Sequence, residues 1–207
     1  MTEQQLRKSQ PVDEAKPSAL IVGASFAGLA TAWWMHRLGY AVTIVEIAKG
    51  LKKGGTPVDV REGVIEVVRR MGLLDRISSQ SLPPRPMEFL AVDGTTVARL
   101  TPPADDPESA EEGYEIERDD LLDMLFGEVK DDVNLLFGDS VSGLEQSSEE
   151  VTVTFTSGRM QAFSLVFGCD GIHSTIRRMC FGEESTFSFF LKNYASLTIV
   201  NLSLIHI

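Results

Sequence analysis

Gly23-Ala24-Ser25-Phe26-Ala27-Gly28 is the stretch of this sequence best suited to chemistry. It follows an apolar run at residues 19–22 and opens a segment in which Phe26, Leu29, Ala30, Trp33, Trp34 and Leu38 recur at helical spacing. Gly39 is placed to stop that helix. A second apolar run, residues 42–45, ends on Glu46. Gly23 has no Cβ, so the chain can turn sharply where the first strand ends. The helix that follows presents backbone N–H groups and the positive end of its dipole to whatever lies over the turn, which suits a pyrophosphate. Gly28 lets the helix lie close to the strand. Glu46 is placed to accept hydrogen bonds from a ribose diol, and its charge disfavours a 2′-phosphate at the same position. The middle glycine of the usual three is replaced by Ser25; a small residue still allows backbone approach, and its hydroxyl can bond a phosphate. The competing reading is a strand–helix–strand unit that binds nothing, for which the strand, the helix and the acid at the right distance would be coincidence.

Other groups have two readings each. Lys52 and Lys53, in a glycine- and lysine-rich loop at residues 48–56, can meet a phosphate or stay solvated. Asp59 and Arg61 lie on the segment leaving that loop, where Asp59 also suits a loop cap. Arg118 has a planar fork of donors and suits a surface pair with Asp119 or Glu115. Asp170 and Gly171 follow an apolar run. Arg177 and Arg178 suit a solvated helix face, Trp33 and Trp34 suit packing, and His173 is read as a surface residue without a catalytic role. Cys169 and Cys180 fit neither a metal cluster nor a disulfide framework and are read as small buried residues near one helix. No serine, cysteine or histidine constellation is present, so no catalytic residue and no metal ligand is assigned.

These groups need elements to hold them. With 207 residues the chain is long enough for one large domain or one and a half, and its hydrophobic share of 43% is ordinary. A net charge of −11 excludes non-specific nucleic-acid binding, because no basic surface replaces counterions. No apolar run is long enough to span a bilayer and no leader is visible, so a cytoplasmic location is expected. Residues 1–17 read as a disordered polar tail. After the strand–helix–strand unit, Val64, Ile65, Val67, Val68, Met71 and Leu74 suit an amphipathic helix with a break at Gly72. Residues 87–92 and 95–100 around Asp93-Gly94 read as a hairpin. Residues 102–112 read as an exposed acidic loop, 114–117 as a strand, and 118–129 as a helix with Leu121, Leu122, Leu125 and Val129 on one side. Strands follow at 134–137, 141–146, 150–156 and 161–167, with a turn at Ser157-Gly158, and a short helix at 174–180.

Three separated segments then agree. GASFAG with Glu46, EIERDDLLDML at residues 115–125 and FGCDGIHSTIRRMCFG at residues 167–182 together resemble the FAD-dependent aromatic-ring hydroxylases, single-component flavoprotein monooxygenases related to para-hydroxybenzoate hydroxylase. The stretch GGTPVDVREGVIEVVRRMGLLD, residues 54–75, resembles the same group, including its tetracycline-inactivating branch. The resemblance covers residues 18–201. It implies an α/β, Rossmann-like FAD-binding domain over residues 18–182, with an antiparallel hairpin or meander insertion and the start of a substrate-domain sheet at 183–201. It places the FAD pyrophosphate on Gly23, Ala24, Ser25, Phe26, Ala27 and Gly28 and the adenosine ribose on Glu46. It places Asp59 and Arg118 near the flavin, and Asp170 and Gly171 at the pyrophosphate and reductant site, followed by Ser174 and Arg177 at the family's spacing.

The activity so implied is reduction of FAD by NADPH or NADH, reaction with oxygen, and transfer of an oxygen atom to an aromatic or polyketide-like small molecule. A nicotinamide-binding oxidoreductase without flavin needs the same first unit, but the Asp-Gly pair and the Glu-Ile-x-Arg segment count against it. The family's later Gly-Asp motif is not found after Asp170. Residues 202–207 (Leu-Ser-Leu-Ile-His-Ile) can be written in codons as a sequencing adapter. The expectation is therefore a truncated frame with read-through, inactive as a fragment. Substrate identity, NADH against NADPH, and oligomeric state are not legible in these residues.

Overall fold

The computed structural model describes residues 16–83, 86–101 and 113–194. In chain order the elements are β1 (Ser18–Val22), α1 (Phe26–Arg37), β2 (Ala41–Glu46), β3 (Val58–Arg61), α2 (Gly63–Arg70), α3 (Leu74–Ser79), β4 (Met87–Leu90) and β5 (Thr96–Leu100). There follow β6 (Gly113–Ile116), α4 (Arg118–Gly127), β7 (Asn134–Phe137), β8 (Val141–Gln146), β9 (Val151–Phe155), β10 (Met160–Phe163), β11 (Leu165–Gly168) and α5 (Thr175–Phe181). The expectations for residues 1–15, for the acidic loop at 102–112, for residues 195–201 of the substrate-sheet segment and for residues 202–207 fall outside the described residues; within 183–194 the chain forms a single 3-10 turn, Glu184–Thr186, and no strand.

The chain divides into two compact units. The first comprises residues 16–52 and Phe126–Phe190. Its centre is a parallel sheet of order β11-β1-β2-β7. Ala19, Leu20 and Ile21 are fully buried, as expected of a central strand covered on both faces. Ile21 faces α1, and Leu20 and Val22 face the other way. There they join Val45, Val141, Val153, Phe155, Phe163 and Ile176 in one core, so the antiparallel sheet β10-β9-β8 and α5 cover that face. Each fully buried Leu, Ile or Phe is worth about 1.5–3 kcal/mol of transfer free energy. Helix α1 stops where expected: Gly39, at φ +90°, donates to His36 O and lets Tyr40 donate back to Met35 O.

The single strand expected at residues 161–167 is two. β10 pairs antiparallel with β9, while β11 pairs parallel with β1. Ser164 is the joint, donating from its N–H to Ser18 O at 2.9 Å while its hydroxyl oxygen accepts from Ser18 N–H at 3.1 Å. Alternation of apolar residues sets which way a side chain points, not which neighbour a strand pairs with, so the change of sheet left no mark.

The second unit comprises, among the described residues, Lys53–Leu125 and residues 191–194. β3 pairs antiparallel with β6, so the segment carrying Asp59 and Arg61 is a strand rather than the loop expected there. The buried face of α2 is Ile65 and Val68, continued by Met71. Val64 and Val67, expected on that face, are 50% and 39% exposed. Eight residues offer one narrow stripe, and the remaining valines lie outside it. Gly72 at φ +74° ends the helix and turns Leu73 and Ile77 into the core with Val60, Ile116 and Leu122. β4 and β5 pair antiparallel around Asp93-Gly94, where the Asp93 carboxylate accepts from the N–H and hydroxyl of Thr95.

Candidate functional site

Gly23 takes φ +106°, and its N–H donates to Val45 O at 2.8 Å. A Cβ on Gly23 would lie 2.5 Å from the carbonyl oxygen of Cys169. A Cβ on Gly28 would lie 1.9 Å from the carbonyl oxygen of Gly23. Both obstacles are backbone, so neither position admits a side chain without moving the turn. The end of β11 completes this packing through Cys169 N–H donating to Val22 O at 2.8 Å. The first rung of the α1 ladder is Leu29 N–H to Ser25 O, so the amides of Phe26, Ala27 and Gly28 precede it and point out of the helix N-terminus. No acid sits in the first turn of α1, so no side chain of that turn offsets the positive end of the dipole, while Arg37 lies at the negative end. Ser25 is the N-cap in extended conformation and makes no side-chain cap bond.

Glu46 is more than a ribose candidate. Its Oε2 accepts from Ala24 N–H at 2.8 Å and its Oε1 from Ala48 N–H at 2.9 Å. One carboxylate therefore ties the glycine turn to the loop after β2. Each oxygen keeps a further lone pair for a hydroxyl donor. Ala24 is buried, and its N–H, expected among the phosphate donors, is engaged by Glu46. The sequence pattern does not indicate the parts taken by Cys169 and Ala48. They act through backbone groups, which residue type does not reveal.

Asp170 stands at the N-terminus of α5. Its Oδ2 accepts from Thr175 N–H at 2.6 Å and Ile176 N–H at 3.1 Å, and its Oδ1 accepts from the Ser174 hydroxyl at 2.5 Å. The Ser174 oxygen in turn accepts from Arg177 N–H at 3.0 Å. This carboxylate is thus committed to a helix cap, a use that the sequence pattern does not single out. Gly171 sits at φ +84°, and a Cβ there would meet open space. Arg177 donates its guanidinium to Ile172 O, turning back onto its own loop. His173 is exposed and paired with Glu184 at 2.8 Å. Cys169 is partly buried, and burial pushes its thiol above the usual range. Cys180 is exposed, against the expectation that both cysteines are buried.

In the second unit, Asp59 lies on β3 in register with Glu115, 56% exposed, with Arg61 Nη2 at 3.3 Å from its Oδ1. It is a strand residue rather than a loop cap. Arg118 is the first residue of α4. Lys53 pairs with Asp123 at 2.6 Å, and that carboxylate holds the ammonium above the usual lysine range. Gly54 N–H donates to Asp119 Oδ1 at 2.8 Å.

A cavity of about 420 Å³ lies at the other end of α1, lined by Trp33, His36, Arg37, Glu128, Val129, Asp132 and Val133. It is not at the glycine turn. Trp33 packs edge-on against Trp34, with Arg37 over its ring, in keeping with a packing role. Among the described residues, no three His, Cys, Asp or Glu side chains could share a metal ion. No described helix is long and apolar enough to cross a membrane.

The chain resembles known proteins over most of its length. The family model described as FAD binding domain matches residues 16–190. An uncharacterized protein of Mycobacterium tuberculosis is 38% identical over 185 residues, covering 88% of this chain and 50% of that protein. A flavin-dependent monooxygenase of Legionella longbeachae is 32% identical over 197 residues, covering 91% of this chain and 48% of that protein. The crystal structure of the tetracycline destructase Tet(51) superposes with a TM-score of 0.68 at 30% identity, covering 81% of this chain and 42% of that one. The chain spans about half the length of the curated relatives it matches.

Proposed function

The chain belongs to the FAD binding domain family of flavin-dependent monooxygenases, and on that basis we propose that its protein hydroxylates an aromatic or polyketide-like small molecule with FAD as resident cofactor and NADPH or NADH as reductant. The residues present fit such a cofactor. The observation that carries this is the turn at Gly23: a cradle kept open by two glycines, whose missing side chains would meet backbone at 2.5 Å and 1.9 Å.

The turn Gly23, Ala24, Ser25, Phe26, Ala27 and Gly28 would hold the pyrophosphate, through the outward amides of Phe26, Ala27 and Gly28 and the Ser25 hydroxyl. Glu46 would accept the adenosine ribose hydroxyls on the lone pairs that Ala24 and Ala48 leave. Asp170 would act by holding the first turn of α5, and Gly171 by leaving space beside it. Asp59 and Arg118 would face the flavin end, Arg118 offering its fork of donors to a ring carbonyl or phosphate. FAD, when bound, supplies the reaction with dioxygen and the transfer of one oxygen atom to the substrate, so no side chain has to act as nucleophile. The protein's part is to bind, orient and exclude water. The likeness to a tetracycline destructase supports the polyketide-like choice of substrate.

The test is a visible spectrum of the purified protein after incubation with FAD. A yellow protein with bound oxidised flavin is expected, and Glu46→Gln should bind the flavin more weakly. A colourless protein that still binds a nicotinamide dinucleotide would replace this reading with a flavin-free oxidoreductase. Turnover is proposed for a protein of the relatives' full length. Its measurement is NADPH or NADH consumption stimulated by fused-ring aromatic compounds.

A further inference from the structure

Three consecutive residues of the glycine loop meet α4 in reverse order. Lys53 Nζ donates to Asp123 Oδ2 at 2.6 Å, Gly54 N–H donates to Asp119 Oδ1 at 2.8 Å, and Gly55 lies beneath the stem of Arg118. The loop thus runs antiparallel to the first turns of the helix. Asp119 and Asp123 are four residues apart, so both carboxylates lie on one helix face and hold two successive points of the loop. Gly54 and Gly55 both take positive φ, +92° and +119°, a backbone shape that L side chains rarely adopt. A Cβ on Gly55 would lie 2.8 Å from Cδ and 3.4 Å from Nε of Arg118. The arginine stem therefore crosses directly over a bare backbone.

We infer that the segment 53–55 is a strap that positions Arg118, and that Gly55 is its positioning residue for the flavin-end contact. This rests on the assignment of Arg118 to the cofactor made above. The physical reason is preorganisation. An arginine side chain has several rotatable bonds, and the glycine channel restricts its stem before the cofactor arrives. Asp119 and Asp123 hold the channel in place, and a side chain at Gly55 closes it.

The experiment is a double-mutant cycle in the FAD-loaded protein with Gly55→Ala, Arg118→Ala and the pair, read by the FAD dissociation constant, the flavin visible spectrum and Tm. Gly55→Ala should weaken FAD by about tenfold through the displaced arginine, the backbone strain at position 55 falling on Tm instead, and should shift the flavin absorbance as Arg118→Ala does. The pair should bind FAD no worse than Arg118→Ala alone, because the displaced side chain is already gone. The loss of Tm on Gly55→Ala should likewise be smaller with Ala at 118 than with Arg. A milder variant, Asp119→Ala, should weaken FAD less than Gly55→Ala while leaving the protein folded, which covers the case where Gly55→Ala unfolds. Effects that simply add, in affinity and in Tm, overturn the strap. An unchanged FAD affinity in Arg118→Ala overturns the cofactor assignment instead, and the Tm cycle then still decides whether Gly55 and Arg118 are coupled.

Discussion

Two glycine sites shape this molecule, and their missing side chains would meet different obstacles. At Gly23 and Gly28 an added Cβ would strike carbonyl oxygens of Cys169 and Gly23. At Gly55 it would strike Cδ of Arg118. Backbone oxygens anchored in a buried parallel sheet cannot retreat, whereas the middle of an arginine side chain can rotate away. The first site therefore defines a rigid cradle, set by strands whose core residues are fully buried. The second defines an adjustable one, held by contacts that are half exposed. The expected division of labour is that the first site decides whether the protein folds and holds a dinucleotide, and the second tunes how.

The largest effect should come from Gly28→Val. Overpacking against backbone is expected to cost more than about 3 kcal/mol, a fall in Tm of more than roughly 6 °C at this size. Thermal unfolding checks it. If Gly28→Val costs no more than Gly55→Ala, the contrast between the two sites is broken. Next is Glu46→Gln. An amide has one acceptor oxygen, so it cannot accept from both Ala24 and Ala48, and losing one charge-assisted bond should cost about 1–2 kcal/mol in urea unfolding. A cost equal to that of an exposed surface substitution would remove Glu46 from the rigid cradle.

A smaller effect is expected from acid, within the same unit. Asp139 accepts from the hydroxyls of Ser157 and Thr156 and from the amides of Ser140 and Ser157, which together hold its carboxyl far below the usual range. A depressed carboxyl contributes stability that is fully present above its unfolded value, near 3.9. That stability is lost as pH falls through the lower folded value. Stability measured from pH 5 downward should therefore fall, and Asp139→Asn should flatten part of that slope. An identical slope in the variant would show that the contact contributes nothing. The smallest effect belongs to Lys53→Ala. Its pair with Asp123 is half exposed and screened by salt, so Tm should stay within experimental error. A large fall in Tm would show that the strap carries fold stability and would erase the difference between the two regions.

The contrast also marks what the local sequence encodes. Local patterns found β1, α1, β2 and the stop at Gly39, because apolar periodicity and glycine sterics act over a few residues. The same patterns merged β10 with β11 and left β3 as a loop, because pairing partners lie far along the chain: β11 with β1, and β3 with β6. Cys180 was expected to be buried and is not, since two cysteines carry no periodicity to read.

For the site, residue types alone determined that a glycine turn, a helix N-terminus and an acid at the end of the next strand would come together in one unit. Those features follow from missing Cβ atoms and the order of peptide dipoles, which are properties of the local chain. Only the tertiary structure decided that Glu46 clamps the turn through Ala24 and Ala48, that Cys169 closes it from behind, that Asp170 is spent on capping α5, and that Gly55 carries the stem of Arg118. Each of these joins backbone or side-chain atoms through space, and no spacing along the sequence encodes which of them will meet.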